Sequence, residues 1–180
     1  MQSVAEENPA LSPRLQRTVT SPRTSAERAQ RRNRNLLVPV DDADDCELAL
    51  KWMLENIYRE GDTVYLLHVV PYAQAAYSGV FLAPSPHEQD TMVEQARAFM
   101  HERYIKILSA KQVPYHVIIQ KGGGDADSIG QLICHKSDEV DSAVVAMASH
   151  TKGRIARYVV GSTTQFCVRH CRATVLVMHE

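Results

Sequence analysis

The stretch "NLLVPVDDADDCELALKWMLENIYREGDTVYLLHVV" (residues 35–70) decides the fold. Its first part, "NLLVPVD" (35–41), is a short apolar run that ends in carboxylates and reads as a buried strand. "DDCELALKWMLENIYRE" (44–60) then sets Leu48, Trp52, Met53, Leu54 and Ile57 against a charged side, the pattern of an amphipathic helix. Asp44 and Asp45 suit its first turn, where carboxylates meet unpaired backbone N–H groups. Gly61-Asp62 stops the helix, and "TVYLLHVVP" (63–71) is a second continuous apolar strand. Strands without a polar face must be covered on both sides, which demands parallel pairing through helical crossovers. Pro39 conflicts locally, because proline removes a ladder donor, so it belongs near the strand's end or at a bulge.

The rest of the chain repeats the alternation. "YAQAAYSGVFLAPSPH" (72–87) has no clean period and reads as a long loop, a candidate lid or partner contact. A long amphipathic helix follows over 88–110, with Met92, Ala96, Phe99, Tyr104, Ile107 and Leu108 on its apolar side. "VPYHVIIQ" (113–120) is the third strand. The segment 122–139 opens on a glycine turn and becomes a helix with Ile129, Leu132 and Ile133 inward. "DSAVVAMAS" (141–149) is the fourth strand, 152–171 a broken helical segment and "ATVLVMH" (173–179) the fifth strand. Right-handed crossovers make this a doubly wound five-stranded parallel α/β sheet with helices on both faces. Ligands of such sheets bind beyond the carboxyl ends of the strands, which directs attention to Asp41, Val69-Val70 and the segment after Met147.

Composition is that of an ordinary globular chain: 180 residues, 44% hydrophobic and 23% charged. The net charge of −1 argues for neither nucleic acid nor membrane as a partner, but it hides an asymmetry. Seven arginines against three glutamates give residues 1–35 about +4, leaving about −5 for the remainder. Residues 1–34, rich in Ser, Thr and Arg and poor in large apolar residues, read as a disordered basic tail ahead of a domain over 35–180. An organelle transit peptide shares the Arg and Ser content but not Glu6 and Glu7; Ser12-Pro13 and Ser21-Pro22 are candidate phosphorylation sites. No run spans a bilayer and no apolar secretory region begins the chain, so a cytoplasmic location is expected. Cys46, Cys134, Cys167 and Cys171 are expected as reduced thiols, since a domain of this size needs no staples. Cys167, His170 and Cys171 also have the spacing of a metal half-site, against the plainer reading of core-facing small residues.

At this point the sequence resembles the universal stress protein family over residues 34–180. The similarity is carried in order by "NLLVPVDDADDCELALKW", "LLHVV", "GGGDADSI" and "VVAMASHTKGRIARYVVGSTTQFCVRHCRATVLVM". It implies a Rossmann-like sheet of strand order 3-2-1-4-5 and a homodimer formed through strand five (Thr174–Met178). ATP-binding members carry glycine, two residues, glycine, nine residues and then Gly-Ser or Gly-Thr. Here those positions hold Ala148, Thr151 and Gly161-Ser162. The spacing and the last pair are kept while the first two glycines are replaced. The resemblance further implies that Asp41 contacts adenine or ribose, that Val69 and Met147 line the adenine slot, and that Pro39 lies beside the base.

Each of these residues also has a plainer reading. "STTQ" (162–165) has the form of a capping box, and a helix starting there offers N–H groups and a positive dipole end to an anion. Ser162 and Thr163 add hydroxyls, yet Ser162 is equally suited to capping its own helix. Asp41 is placed to cap the helix that follows it. Ala148 adds only a methyl where a glycine would stand, whereas β-branched Thr151 resists positive φ. His150, Thr151, Lys152 and Gly153 form the loop that would meet phosphates; the plain alternative is a solvated turn. "KGGGDADS" (121–128) lacks the G-K-[ST] ending of a P-loop; its loop resembles that of ATP pyrophosphatases but follows the third strand rather than the first. Its plain reading is a turn with Asp125 or Asp127 capping the next helix. No nucleophile–base pair or G-x-S-x-G stands out, so any ATPase activity is expected to be slow and incidental. The expectation is a stress-response regulatory module binding ATP or AMP, with Mg2+ accompanying ATP. Its rivals are a nucleotide-free dimeric scaffold that recruits protein partners and, third, a slow ATP-hydrolysing enzyme.

Overall fold

The structure is a computed structural model that describes residues 33–71, 74–75, 81–82, 85–122, 125–149 and 161–179. In chain order these form β1 (Asn35–Pro39), α1 (Asp44–Asn56), β2 (Thr63–Pro71), β3 (Gln74–Ala75), β4 (Phe81–Leu82) and α2 (Pro86–Met100). Helix α2 runs through a π-helical turn (His101–Ile105) into α3 (Lys106–Ala110). There follow β5 (Tyr115–Gly122), α4 (Ala126–Glu139), β6 (Ser142–Ala148), α5 (Ser162–His170) and β7 (Thr174–Met178). Five strands make one sheet in the order β5-β2-β1-β6-β7, every pair parallel. Counted among themselves these strands run 3-2-1-4-5, as the resemblance implies.

Strand periodicity explains the two-sided core, because successive side chains point to opposite faces. Leu36 and Val38 of β1, Val64 and Leu66 of β2, and Ala146 and Ala148 of β6 meet Ala49, Leu50 and Met53 of α1 and Met100, Tyr104 and Leu108 of the long helix. Leu37, Leu67, Val145 and Met147 face the other way, onto Ile133 of α4 and Cys167 of α5. Pro39 is the last residue of the central strand, where its missing donor costs least.

Several local expectations are corrected. Helix α1 stops at Asn56, and its buried side is Cys46, Ala49, Leu50, Met53 and Leu54, while Leu48 and Trp52 are exposed. The apolar arc there is wider than the sheet contact, so packing selects which part is covered. Gly61, at φ 93°, makes the left-handed turn back to the sheet. The stretch 72–87 contains the short antiparallel pair β3–β4, and α2 starts at Pro86 behind a Ser85–Glu88 capping box. Asp125, one of the two capping candidates, caps α4 by accepting from the Ser128 N–H at 2.9 Å. The cysteine expectation fails: Cys134 of α4 and Cys171 at the C-terminal cap of α5 form a disulfide, with Cα atoms 4.7 Å apart. The two residues lie 37 apart in sequence and meet only because α4 and α5 pack side by side. That packing is close at Gly130, where a Cβ would stand 2.5 Å from Cδ1 of Phe166.

Candidate functional site

At the carboxyl ends of β1, β2 and β6 the structure opens a cleft of about 160 Å³. It is lined by Pro39, Val40, Asp41, Cys46, Leu67, Val69, Ile129, Ile133, Met147, Ala148, Thr163 and Thr164. Of the residues singled out in the sequence, it gathers Pro39, Asp41, Val69, Met147, Ala148 and Thr163. Gly161 and Ser162 stand next to Thr163 at the start of α5 but are not among the lining residues. His150, Thr151 and Gly153, with Lys152, lie outside the described residues. Val40, Cys46, Leu67, Ile129, Ile133 and Thr164 are additions that sequence reasoning missed. Ile129 and Ile133 were read as core residues of a helix, and nothing in one chain tells which core residues border a cleft.

The loop after β1 is held by three side chains from other elements, one at each of three successive carbonyls. His68 of β2 places Nδ1 2.8 Å from the Val40 oxygen; since a carbonyl only accepts, Nδ1 carries the proton. Tyr104 donates its hydroxyl to the Asp41 oxygen at 2.6 Å. Arg103 donates to the Asp42 oxygen at 2.5 Å and also pairs with the Asp44 carboxylate. Arg103 and Tyr104 both come from the π-helical turn, so a helix packed on the sheet clamps the loop that carries Asp41. The Asp41 carboxylate itself accepts from the Ala43 N–H at 2.9 Å and from the Cys46 thiol at 3.3 Å. Asp41 is thus not the cap of α1, whose cap residue is Ala43 with no side-chain cap hydrogen bond; it braces the turn that leads into the helix while it faces the cleft. Burial, reinforced by the Asp41 charge, pushes the Cys46 thiol up to about 12, so it stays a protonated donor.

On the opposite wall, α5 begins at Ser162 with Gly161 as its cap residue, and no side chain caps it. The capping box read from "STTQ" is thus not formed, because Ser162 already lies inside the helix. Thr164 is buried and donates its hydroxyl to the Ala148 carbonyl at 3.5 Å, tying the helix start to the end of β6. Ala148 belongs to β6, and the only non-glycine residues with positive φ among those described are Gln112 and Asp141. An alanine in place of the first glycine therefore carries no backbone penalty. The metal half-site is also revised. Among the described residues, the sulfur atoms of Cys134, Cys167 and Cys171 lie within 4.8 Å of one another. His170 stays outside that group, stacked on Phe166 with Nδ1 2.8 Å from the Phe166 oxygen. No helix among the described residues is long and apolar enough to cross a membrane.

The sheet order defines a doubly wound parallel α/β protein, with its cleft at the switch point where such folds bind ligands. The chain belongs to the universal stress protein family, whose family model matches residues 32–179. It is 27% identical over 163 residues to universal stress protein PHOS32 of Arabidopsis thaliana, covering 81% of this chain and 64% of the relative. The chain thus spans under two thirds of that relative's length. Solved structures share the fold. A universal stress protein from Archaeoglobus fulgidus superposes with TM-score 0.61 at 16% identity, covering 82% of this chain and 98% of that one. A universal stress protein family protein of Arabidopsis thaliana, solved with AMP bound, gives 0.54 at 20% identity over 81% and 90%. A universal stress protein in complex with cAMP gives 0.57 at 13% identity over 83% and 98%.

Proposed function

We propose that this chain is a non-enzymatic regulatory module of the stress response that binds an adenine nucleotide, ATP or AMP, in the cleft at the ends of β1 and β6. The observation that carries this reading is the convergence of an apolar slot, a braced carboxylate and an uncapped helix start on one cleft. The slot, between Val69, Ile129 and Met147, suits a flat heterocycle. Its volume falls below the roughly 300–1,000 Å³ of a whole-ligand pocket, so it accounts for the base and leaves ribose and phosphates toward the start of α5. Asp41, as an acceptor, suits the amino group of the base or the ribose hydroxyls. The N–H groups at the start of α5, with Ser162 and Thr163 hydroxyls beside them, suit a phosphate. Mg2+ enters only as the counter-ion that ATP carries. The two family structures with adenine nucleotides bound support the same class of ligand.

Calorimetric titration of the purified chain with ATP, ADP and AMP tests the reading. Binding tighter than millimolar is expected for at least one, with loss of at least tenfold in Gly161→Val and Asp41→Ala. Gly161 has ordinary backbone angles, φ −55° and ψ 151°, and among the described residues a Cβ there meets only Thr164 Oγ1 at 4.0 Å. The valine is therefore expected to fold normally while crowding the N–H groups at the start of α5. Asp41→Ala also removes a brace of α1, so the glycine variant is the cleaner control. No heat from any of the three nucleotides below millimolar would sink the nucleotide reading in favour of a nucleotide-free scaffold.

The module is further proposed to act as a homodimer joined along β7. That strand ends the sheet order, so one row of its backbone groups is unpaired within the sheet, a template for a second copy. Light scattering behind size exclusion is expected to give twice the 20.1 kDa chain mass. A strict monomer at tens of micromolar would count against the dimer.

A further inference from the structure

We propose that Cys134, Cys167 and Cys171 form a reversible thiol–disulfide centre that fastens and releases the C-terminal end of α5. The bond joins Cys134 to Cys171, and both residues are half-buried, within reach of small reagents. The other two cysteines, Cys46 and Cys167, are buried thiols outside the bond. Cys167 lies one helical turn before Cys171, and its sulfur is within 4.8 Å of both bonded sulfurs. Cys134 therefore faces two alternative partners on one helix. The fold does not depend on the bond: each face of the sheet has its own core, with Leu36, Leu37, Leu66 and Leu67 wholly inaccessible.

The chemistry balances with a hydroperoxide as oxidant and a dithiol as reductant. In oxidation, the thiolate of Cys134 or Cys171 attacks the peroxide, forming an S–O bond as the O–O bond breaks and an alcohol or water leaves. The second thiol then attacks that sulfenic sulfur; the S–S bond forms and water departs with the oxygen. In reduction, a thiolate of the dithiol attacks one sulfur of the bond, and its second thiol resolves the mixed disulfide. Two electrons and two protons end on the cysteine pair, and the reductant leaves as a disulfide. Burial pushes the Cys167 thiol up to about 11, which keeps it protonated and idle while Cys171 holds the bond. With Cys171 absent, Cys167 is the sulfur left beside Cys134. The bond ties the C-terminal end of α5 to α4 across a sequence separation of 37, so its state sets how firmly that end of α5 is held.

The test uses the full chain and does not depend on what the cleft binds. Protein treated with hydrogen peroxide is acid-quenched and alkylated with N-ethylmaleimide in denaturant, then weighed. Two adducts are expected, with a peptide joining Cys134 to Cys171, and four after native incubation with millimolar dithiothreitol. Cys134→Ser is expected to form no intramolecular bond, and Cys171→Ser to join Cys134 to Cys167. Amides of α5 are expected to exchange hydrogen at least tenfold faster in the reduced protein. Four adducts after oxidation, a bond that resists native dithiothreitol, unchanged exchange in α5, or no Cys134–Cys167 bond in Cys171→Ser would each overturn the proposal. A reduced protein that carries one zinc ion by native mass spectrometry and resists peroxide would assign the cluster to a metal instead.

Discussion

Tyr104→Ala is expected to lower the unfolding free energy by about 3–5 kcal/mol, read as a shifted urea midpoint at unchanged slope. The side chain has no solvent exposure, and it packs among Met53, Met100 and Leu108 in the larger core. Its ring meets Phe99 edge-on at 5.6 Å between centroids. Truncation removes that packing and leaves the Asp41 carbonyl without the hydroxyl that donates to it at 2.6 Å. Burial raises the phenol above its ordinary value, so it remains a donor wherever the protein is folded. Tyr104→Phe separates the two contributions. It keeps the ring and loses only the hydroxyl, for about 1–2 kcal/mol, and it loosens the Asp41 loop. A Tyr104→Ala loss below 1 kcal/mol would contradict the packing described here.

Asp62→Ala is expected to cost about 3 kcal/mol, the lower end for breaking a buried ion pair, because Arg34 keeps some contact with water. Asp62 is 3% exposed and accepts from four donors. These are the Arg34 backbone N–H, Arg34 Nε and Nη2, and the Arg59 N–H. Together they fasten the entry of β1 to the turn between α1 and β2, and Arg34 reaches on to the Ile57 carbonyl at 2.8 Å. The hydrogen bond with Asp62 raises the Arg34 guanidinium above its ordinary value, against the smaller opposing effect of its burial. The double variant Arg34→Met/Asp62→Leu removes both charges and is expected to recover most of the loss. If the single and double variants unfold at the same denaturant concentration, the cost is not that of an orphaned charge.

The sheet was legible because each of its strands is an uninterrupted apolar run, and only parallel strands covered on both faces need that. Strand β2 falls where "TVYLLHVVP" places it, and the others within two residues of expectation. The cleft was legible in part for the same reason: the topology sends Pro39, Asp41, Val69, Met147 and Ala148 to the same end of the sheet. What stayed hidden depends on contacts between distant segments. The exposure of Leu48 and Trp52 follows from how wide the sheet is beneath α1. The pairing of Cys134 with Cys171 follows from α4 lying against α5. Ser162 and Gly161 differ by one position, yet that position decides which residue caps α5.

The π-helical turn has a consequence for what the long helix tolerates. Its buried residues Ala96, Met100, Tyr104 and Leu108 recur every four positions. An ideal α-helix turns once in 3.6 residues, so each step of four overshoots by about 40° and three steps would carry Leu108 about 120° away from Ala96. A π turn holds more residues per revolution and absorbs part of that drift. The chain length between Met100 and Lys106 is consequently a phase setting. Inserting one residue just before the turn would swing everything downstream by about 100°. Leu108 would leave the core side, and Arg103 or Tyr104 would lose its carbonyl in the Asp41 loop. Substitutions on the outer side of this turn are tolerable, whereas an added residue is not.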